Sequence, residues 1–240
     1  MTKTIAIFGA GPGLGASVAA RFGKEDFQVA LVARGQDALD DMVDDLANNG
    51  VKAVAFPADL SQLDRLPSLV GAIEDALGGI DVAVYAPVPP GLDFVNAVDL
   101  DAETLSPLLQ LFTLAPIQLA HELLRGMIAR GDGAIVYVGG LSAVHASPGY
   151  SGPGPAMAAA RNYFHALNAE GKDKGIYSGT IFIGGMVERS AGHQAMIASG
   201  APINFPVVSP DLIADELWSM TFERDRAEAI LPPAASLPAL

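Results

Sequence analysis

The stretch Thr4-Ile5-Ala6-Ile7-Phe8-Gly9-Ala10-Gly11-Pro12-Gly13-Leu14-Gly15 decides how this chain is read. A short apolar run goes straight into a glycine-rich turn, and residues 16–22 after it have helical spacing. A strand that turns through glycine into a helix leaves unpaired N–H groups at the helix N-terminus, where an anion is readily held. The glycines at 9, 13 and 15 then have separate jobs: a tight turn, close approach of backbone to a pyrophosphate, and close helix packing. Position 14 is leucine, so the spacing is G-x-x-x-G-x-G and not G-x-G-x-x-G. Gly9, Gly11, Pro12, Gly13, Leu14 and Gly15 are expected to cradle a dinucleotide; an ordinary glycine-rich turn is the alternative.

Outward from this loop, short β-branched runs alternate with longer helical stretches. Strands are predicted at Thr4–Phe8, Gln28–Ala33, Lys52–Phe56, Asp81–Tyr85, Ala134–Val138, Ser178–Ile183 and Ala229–Leu231. Helices are predicted from Gly13 onward and at 36–48, 63–77, 102–129, 155–170 and 210–222. This is the plan of a single-domain α/β Rossmann fold over residues 1–240, a doubly wound seven-stranded parallel sheet with helices on both faces. The Pro- and Gly-rich loops 87–91 and 147–155 follow the fourth and fifth strands, at the carboxyl edge where such sheets bind ligands. Residues 190–206 are expected to form a lid over that edge, and 232–240 a tail that is either loose or docked on a neighbouring subunit.

Cofactor choice is read at the end of the second strand. An acidic residue there would bind the ribose diol of NAD, but the chain has Ala33 followed by Arg34. Arginine can pair with a 2′-phosphate, so NADP is expected over NAD. Asp59, in Pro57-Ala58-Asp59-Leu60, either accepts from the adenine amino group or caps the next helix.

With these residues in hand, the chain resembles the short-chain dehydrogenase/reductase family over nearly its whole length. FGAGPGLG is similar to the family's T-G-x-x-x-G-I-G loop, and Asp59-Leu60 to its adenine-site D-[LV] pair. Residues 133–140, GAIVYVGG, resemble its fifth strand, and residues 166–190 its A-L-A-x-E…G-I-x-V…P-G-x-x-x-T run. The resemblance implies backbone contacts to the cofactor from Ala86 and Pro87, which stand in the family's N-N-A-G segment. It implies them also from Gly185 and Val187, which stand in its P-G-x-x segment. Ser190 lies one residue beyond the family's threonine. An association into homotetramers or homodimers through helices 102–129 and 155–170 is implied as well, with the small residues Ala156, Ala158, Ala159 and Ala160 allowing close approach.

The family's tyrosine, lysine, serine and asparagine are all missing. Counting along the sequence puts Pro153, Met157, Gly140 and about Phe112 in their places, and no Y-x-x-x-K string occurs. Proline and methionine cannot move the proton that carbonyl reduction needs. Tyr150 is the candidate acid or substrate-orienting hydroxyl, against packing on the substrate wall. Ser142 is the candidate for orienting a substrate oxygen, against a turn-forming role. His145 and His193 lie in the nearby loop and lid. Arg161 either brings positive charge to the nicotinamide or lies on the helix surface.

The formal charge of −13 argues against a nucleic-acid partner, and the absence of cysteine excludes disulfides and thiolate chemistry. No metal is expected, no run is long enough for a membrane span, and a cytoplasmic location is expected. The expected function is NADP(H)-dependent reduction of a hydrophobic carbonyl, imine or enone. The alternatives are a non-redox NADP-binding sensor or partner protein, and a lyase or cyclase on the same scaffold.

Overall fold

The computed structural model describes residues 2–89, 91–92, 94–200 and 202–233. Residues 234–240 of the expected tail lie outside the described residues. The chain alternates as β1 (Thr4–Phe8), α1 (Leu14–Gly23), β2 (Gln28–Ala33), α2 (Gln36–Asn48), β3 (Ala53–Pro57), α3 (Leu66–Leu77) and β4 (Val82–Tyr85). It continues with α4 (Ala102–Leu109), α5 (Ala115–Arg130), β5 (Gly133–Gly140), α6 (Pro153–Gly171), β6 (Ile176–Ile183) and β7 (Met186–Val187). It ends with α7 (Ala191–Ser199), β8 (Val207–Val208), α8 (Pro210–Glu223) and β9 (Glu228–Leu231).

Seven strands form one parallel sheet in the order β3-β2-β1-β4-β5-β6-β9, the Rossmann arrangement. Their near-continuous apolar character follows from burial on both faces. One face carries α1, α2 and α8 over Ile5, Ile7, Val29, Leu31 and Val84; the other carries α3, α5 and α6 over Phe8, Tyr85, Tyr137 and Phe182. The order reverses direction between β1 and β4, so the loops leaving those two strands diverge and open a crevice at the carboxyl edge.

Three local differences from the sequence-based expectation have physical causes. The helix expected at 102–129 contains a π-turn, Gln110–Leu114, that separates α4 from α5. Pro116 has no N–H to offer the Phe112 carbonyl, and the widened turn frees the Leu111 carbonyl to accept from the Tyr85 hydroxyl at 2.6 Å. The helix expected to begin at Pro155 begins at Pro153, whose fixed φ suits a first helical position. A separate two-stranded sheet, β7 with β8, was not anticipated; it brings together the two ends of the segment expected to form a lid.

One core group is left without a partner. The Tyr137 hydroxyl is buried, with no hydrogen-bond partner among the described residues, and its ring is stacked between Tyr85 and Phe164. Burial pushes its pKa far above the ordinary phenol value. Tyr137→Phe is therefore expected to stabilise the fold by about 1 kcal/mol, since it removes a desolvated donor and leaves the ring packing intact. The check is a rise in the urea midpoint at unchanged slope.

Candidate functional site

The phosphate loop is built as its glycines require. Gly9 has φ +97°, and a methyl group on it would sit 2.4 Å from the Pro87 nitrogen and 2.7 Å from the Ala86 carbonyl carbon. The Gly9 and Ala10 N–H groups both donate to the Val32 carbonyl, and the Ala86 N–H donates to the Phe8 carbonyl. The ends of β1, β2 and β4 are thus held at one point. Gly15 packs on Ala10, where a methyl would lie 2.8 Å from its Cα, while the space beside Gly11 is open to 4 Å. No side chain caps α1, so the N–H groups at its start remain available to an anion. These features fit a dinucleotide's pyrophosphate.

Gly13 has a different neighbour from the one the sequence implied. A methyl there would lie 2.9 Å from the Ser190 nitrogen and 3.1 Å from the Glu188 carbonyl oxygen. Its missing side chain lets the backbone of Glu188 and Ser190 lie on the phosphate loop.

At the end of β2, Arg34 is exposed, and so is Asp59 across from it. Hydrogen bonds from the Ser61 hydroxyl (2.7 Å) and N–H (3.0 Å), helped by the charge of Arg34, hold the Asp59 carboxyl below its usual range. In this structure the Asp59 carboxylate closes a turn on Ser61 and does not cap the next helix, whose start at Leu63 has no side-chain cap, and Leu60 beside it is buried in the core. Gly185 precedes the β7 strand and Val187 lies in it; the Met186 N–H donates to the Pro206 carbonyl and the Glu188 N–H to the Val208 carbonyl.

At the carboxyl end of β5, the Gly140 N–H donates to the Met157 sulfur at 3.2 Å. The Thr113 hydroxyl, inside the π-turn, donates to the Ala156 carbonyl at 2.7 Å, beside buried Phe112. Ser142 lies in the single turn Leu141–Ala143, its oxygen 3.8 Å from where a Gly140 side chain would begin. Tyr150 is farther out. It is 48% exposed, and its ring rests on Phe94 at a centroid distance of 4.9 Å.

A model of the short chain dehydrogenase family matches residues 3–195. The chain belongs to the short-chain dehydrogenase family. It is 30% identical to a fatty acyl-CoA reductase of Mycobacterium tuberculosis over 97% of this chain and 77% of that protein. It is 32% identical to the ketoacyl reductase HetN of a Nostoc species over 58% of this chain and 48% of that protein. The chain spans 57% of a short chain dehydrogenase of Pseudocercospora fijiensis and 63% of an uncharacterized oxidoreductase of Mycobacterium bovis. Among solved structures, an actinorhodin polyketide ketoreductase with NADPH superposes with a TM-score of 0.84 at 21% identity, covering 95% of both chains. The L-sorbose reductase of Gluconobacter frateurii, complexed with NADPH and L-sorbose, superposes at 0.83 with 23% identity over 100% of this chain and 98% of that one.

In this short-chain dehydrogenase, three of the four positions counted as replacing the family's proton-handling residues, Gly140, Met157 and Phe112, come together in space, and Pro153 opens the helix that carries Met157. Gly140 touches Met157, and the Phe112–Thr113 turn touches Ala156 on the same helix. The structure brings Ser142 to that cluster, while Tyr150 lies at the mouth with Phe94. His145 is exposed, and the His193 ring nitrogen Nδ1 accepts the Arg189 N–H at 3.2 Å. Arg161 is held on Glu228 through two of its three nitrogens, Nε and Nη2, and His165 also reaches Glu228 at 2.9 Å. Ala156 and Ala160 face the chain's own core, which corrects their expected place in helix approach between subunits; Ala158 and Ala159 are the outward pair.

Glu228 carries a pH prediction. Burial alone would raise its pKa, but the bonds from Arg161 and His165 outweigh burial and hold it below the usual value. A depressed carboxyl contributes stability above its unfolded pKa and loses it as pH falls through the folded pKa. Glu228→Gln is expected to cost about 1 kcal/mol near neutral pH, the size of a partly exposed charge pair. The gap from the unaltered protein should shrink as pH drops below about 4. Urea denaturation at a series of pH values measures it.

No helix among the described residues is long and apolar enough to cross a membrane.

Proposed function

We propose that this chain is an NADP(H)-dependent oxidoreductase acting on a hydrophobic small molecule with a carbonyl, imine or conjugated alkene. The observation that carries it is the glycine cradle: Gly9 at φ +97° against Ala86-Pro87, followed by an uncapped helix, with Arg34 exposed at the end of β2. When bound, NADPH supplies the hydride. Gly11, Leu14 and Gly15 offer backbone N–H groups to the pyrophosphate, and Arg34 pairs with the 2′-phosphate. Gly185 and Val187 line the nicotinamide end with backbone.

The substrate class follows from the mouth. Val88, Phe94, Tyr150, Ile197 and Phe205 are exposed on loops and lid at the carboxyl edge, and Phe112, Pro153 and Met157 wall its floor. Reductases of fatty acyl-CoA and ketoacyl substrates among the relatives agree with an apolar substrate. Ser142 orients the substrate oxygen, and the proton comes from Tyr150, from water or from the substrate itself. Residues 1–240 act as one domain, and copies associate through α5 and α6, where Leu124, Ile128, Tyr163 and Leu167 line an apolar cleft of 290 Å³.

Fluorescence titration with NADPH and NADH tests the cofactor. Arg34→Ala should weaken NADPH about tenfold or more, as loss of a charge-assisted phosphate contact does, and leave NADH within twofold. Stereospecifically deuterated NADPH, offered with ketones, imines and enones, tests hydride transfer. Transfer that survives Tyr150→Phe undiminished would remove Tyr150 as the acid.

A second reading is a dinucleotide-binding protein without redox chemistry, a sensor or a lyase. The pairing of Gly140 with Met157 favours it, because that contact places a thioether where proton transfer would need an ionisable group. Tight NADPH binding with no label transfer to any acceptor would select this reading.

A further inference from the structure

Between β7 and α7 the chain passes directly over the phosphate loop, and the residue at the crossing is Arg189. Its neighbours Glu188 and Ser190 flank Gly13, at 3.1 and 2.9 Å from the position a side chain would take there. Arg189 has φ +62°, a conformation that non-glycine residues avoid and that surrounding bonds must hold. Those bonds are present: its N–H donates to His193 Nδ1 at 3.2 Å, and its carbonyl accepts from Gln194 at 3.2 Å. The Ser190 hydroxyl accepts the His193 N–H at 3.2 Å. The first turn of the lid helix is therefore wired to this one hinge residue.

The guanidinium reaches back to α1. One nitrogen, Nη2, donates to the Ser17 hydroxyl at 3.0 Å and to the Asp211 carboxylate at 2.7 Å; the side chain is 49% exposed. Nε and Nη1 make no hydrogen bond among the described residues. A cation with unused donors, held in the first turns of an uncapped helix whose start is a phosphate cradle, matches the chemistry of a pyrophosphate. Arginine's planar fork suits such a bidentate contact.

We propose that Arg189 couples the lid to the dinucleotide: its guanidinium rests on Asp211 and Ser17 in the cofactor-free chain and turns to the pyrophosphate when the dinucleotide binds, drawing α7 over the site. Asp211 is then a competitor for the arginine, and the lid's first turn follows the hinge because His193 and Gln194 are bonded to it. This rests on the dinucleotide reading above.

The test is NADPH titration by nicotinamide fluorescence at several salt concentrations, with thermolysin cleavage before the exposed Ile197 as a readout of lid closure. Arg189→Ala should raise the NADPH dissociation constant about tenfold or more and lower the salt dependence of binding. It should also abolish the protection of Ile197 that NADPH gives the unaltered chain. Arg189→Lys, which keeps the charge without the fork, should fall between. Asp211→Asn should tighten NADPH binding severalfold. Arg189→Ala binding within twofold of the unaltered protein, or undiminished protection of Ile197 in that variant, overturns the assignment to Arg189 alone. Weaker binding by Asp211→Asn overturns the competition. Failure of the unaltered protein to bind either NADPH or NADH overturns the dinucleotide reading as well.

Discussion

Gly9→Ala is expected to raise the NADPH dissociation constant at least about a hundredfold. Two costs add. An L-residue at φ +97° leaves the allowed backbone regions, at about 1–2 kcal/mol. Its methyl group would also lie 2.4 Å from the Pro87 nitrogen and 2.7 Å from the Ala86 carbonyl carbon, both backbone atoms that cannot swing aside as a side chain tip can. Overpacking of this kind costs about 1–3 kcal/mol, and relief requires the β1 and β4 loops to part. Parting them opens the point where the Gly9, Ala10 and Ala86 N–H groups hold three strand ends, and with it the cradle for the pyrophosphate. About 3 kcal/mol of misplacement corresponds to the hundredfold loss. Fluorescence titration measures it, with far-ultraviolet circular dichroism to show that the sheet persists. Gly11→Ala is the control: nothing lies within 4 Å of its added methyl in the chain itself, so the fold should be unaffected. A Gly9→Ala protein that binds NADPH within threefold of the unaltered chain would remove the cradle as the carrier of the dinucleotide reading.

Gly175→Ala is expected to destabilise the fold by about 3 kcal/mol or more, with no direct effect on the site. Gly175 turns the chain from α6 into β6 at φ +75°, and an added methyl would lie 1.8 Å from the Gly131 carbonyl oxygen and 2.6 Å from its carbon. Both the left-handed backbone and the backbone collision are penalised. Gly131 is itself left-handed at the end of α5, so the two turns meet at the amino edge of β5 and β6 and neither can move without shifting a central strand. A total stability of about 5–15 kcal/mol makes this loss a large fraction of the whole. Chemical denaturation measures it. The two glycines thus separate the ends of the sheet: substitution at the carboxyl edge acts on binding, and at the amino edge on folding.

The fold was legible because its signals are local. β-branched runs, helical spacing and glycine punctuation place the seven strands of the sheet within about two residues of where they lie. The turn at Pro116 carried a readable signal too, since a proline inside a helical pattern must release a carbonyl, but only the fold shows that Tyr85 collects the carbonyl of Leu111. The phosphate loop was legible for the same local reason, apart from Gly13, whose partner comes from residues 188–190. Arg189 was invisible to the sequence reading. Its neighbours Ser17 and Asp211 are 172 and 22 residues away in the chain, and an arginine in a loop has no periodicity to mark it.

The chain by itself determined the strand–glycine–helix loop, the alternation that makes a parallel sheet, and the lack of a Y-x-x-x-K string, all of which depend on residue type and short-range spacing. Tertiary structure decided which distant residues meet at the carboxyl edge. Packing α6 against β5 set the Met157 sulfur on the Gly140 N–H, and pairing β7 with β8 laid the backbone of Glu188 and Ser190 on Gly13. Such contacts join residues far apart in sequence, and their geometry exists only once the sheet has brought its carboxyl edge together.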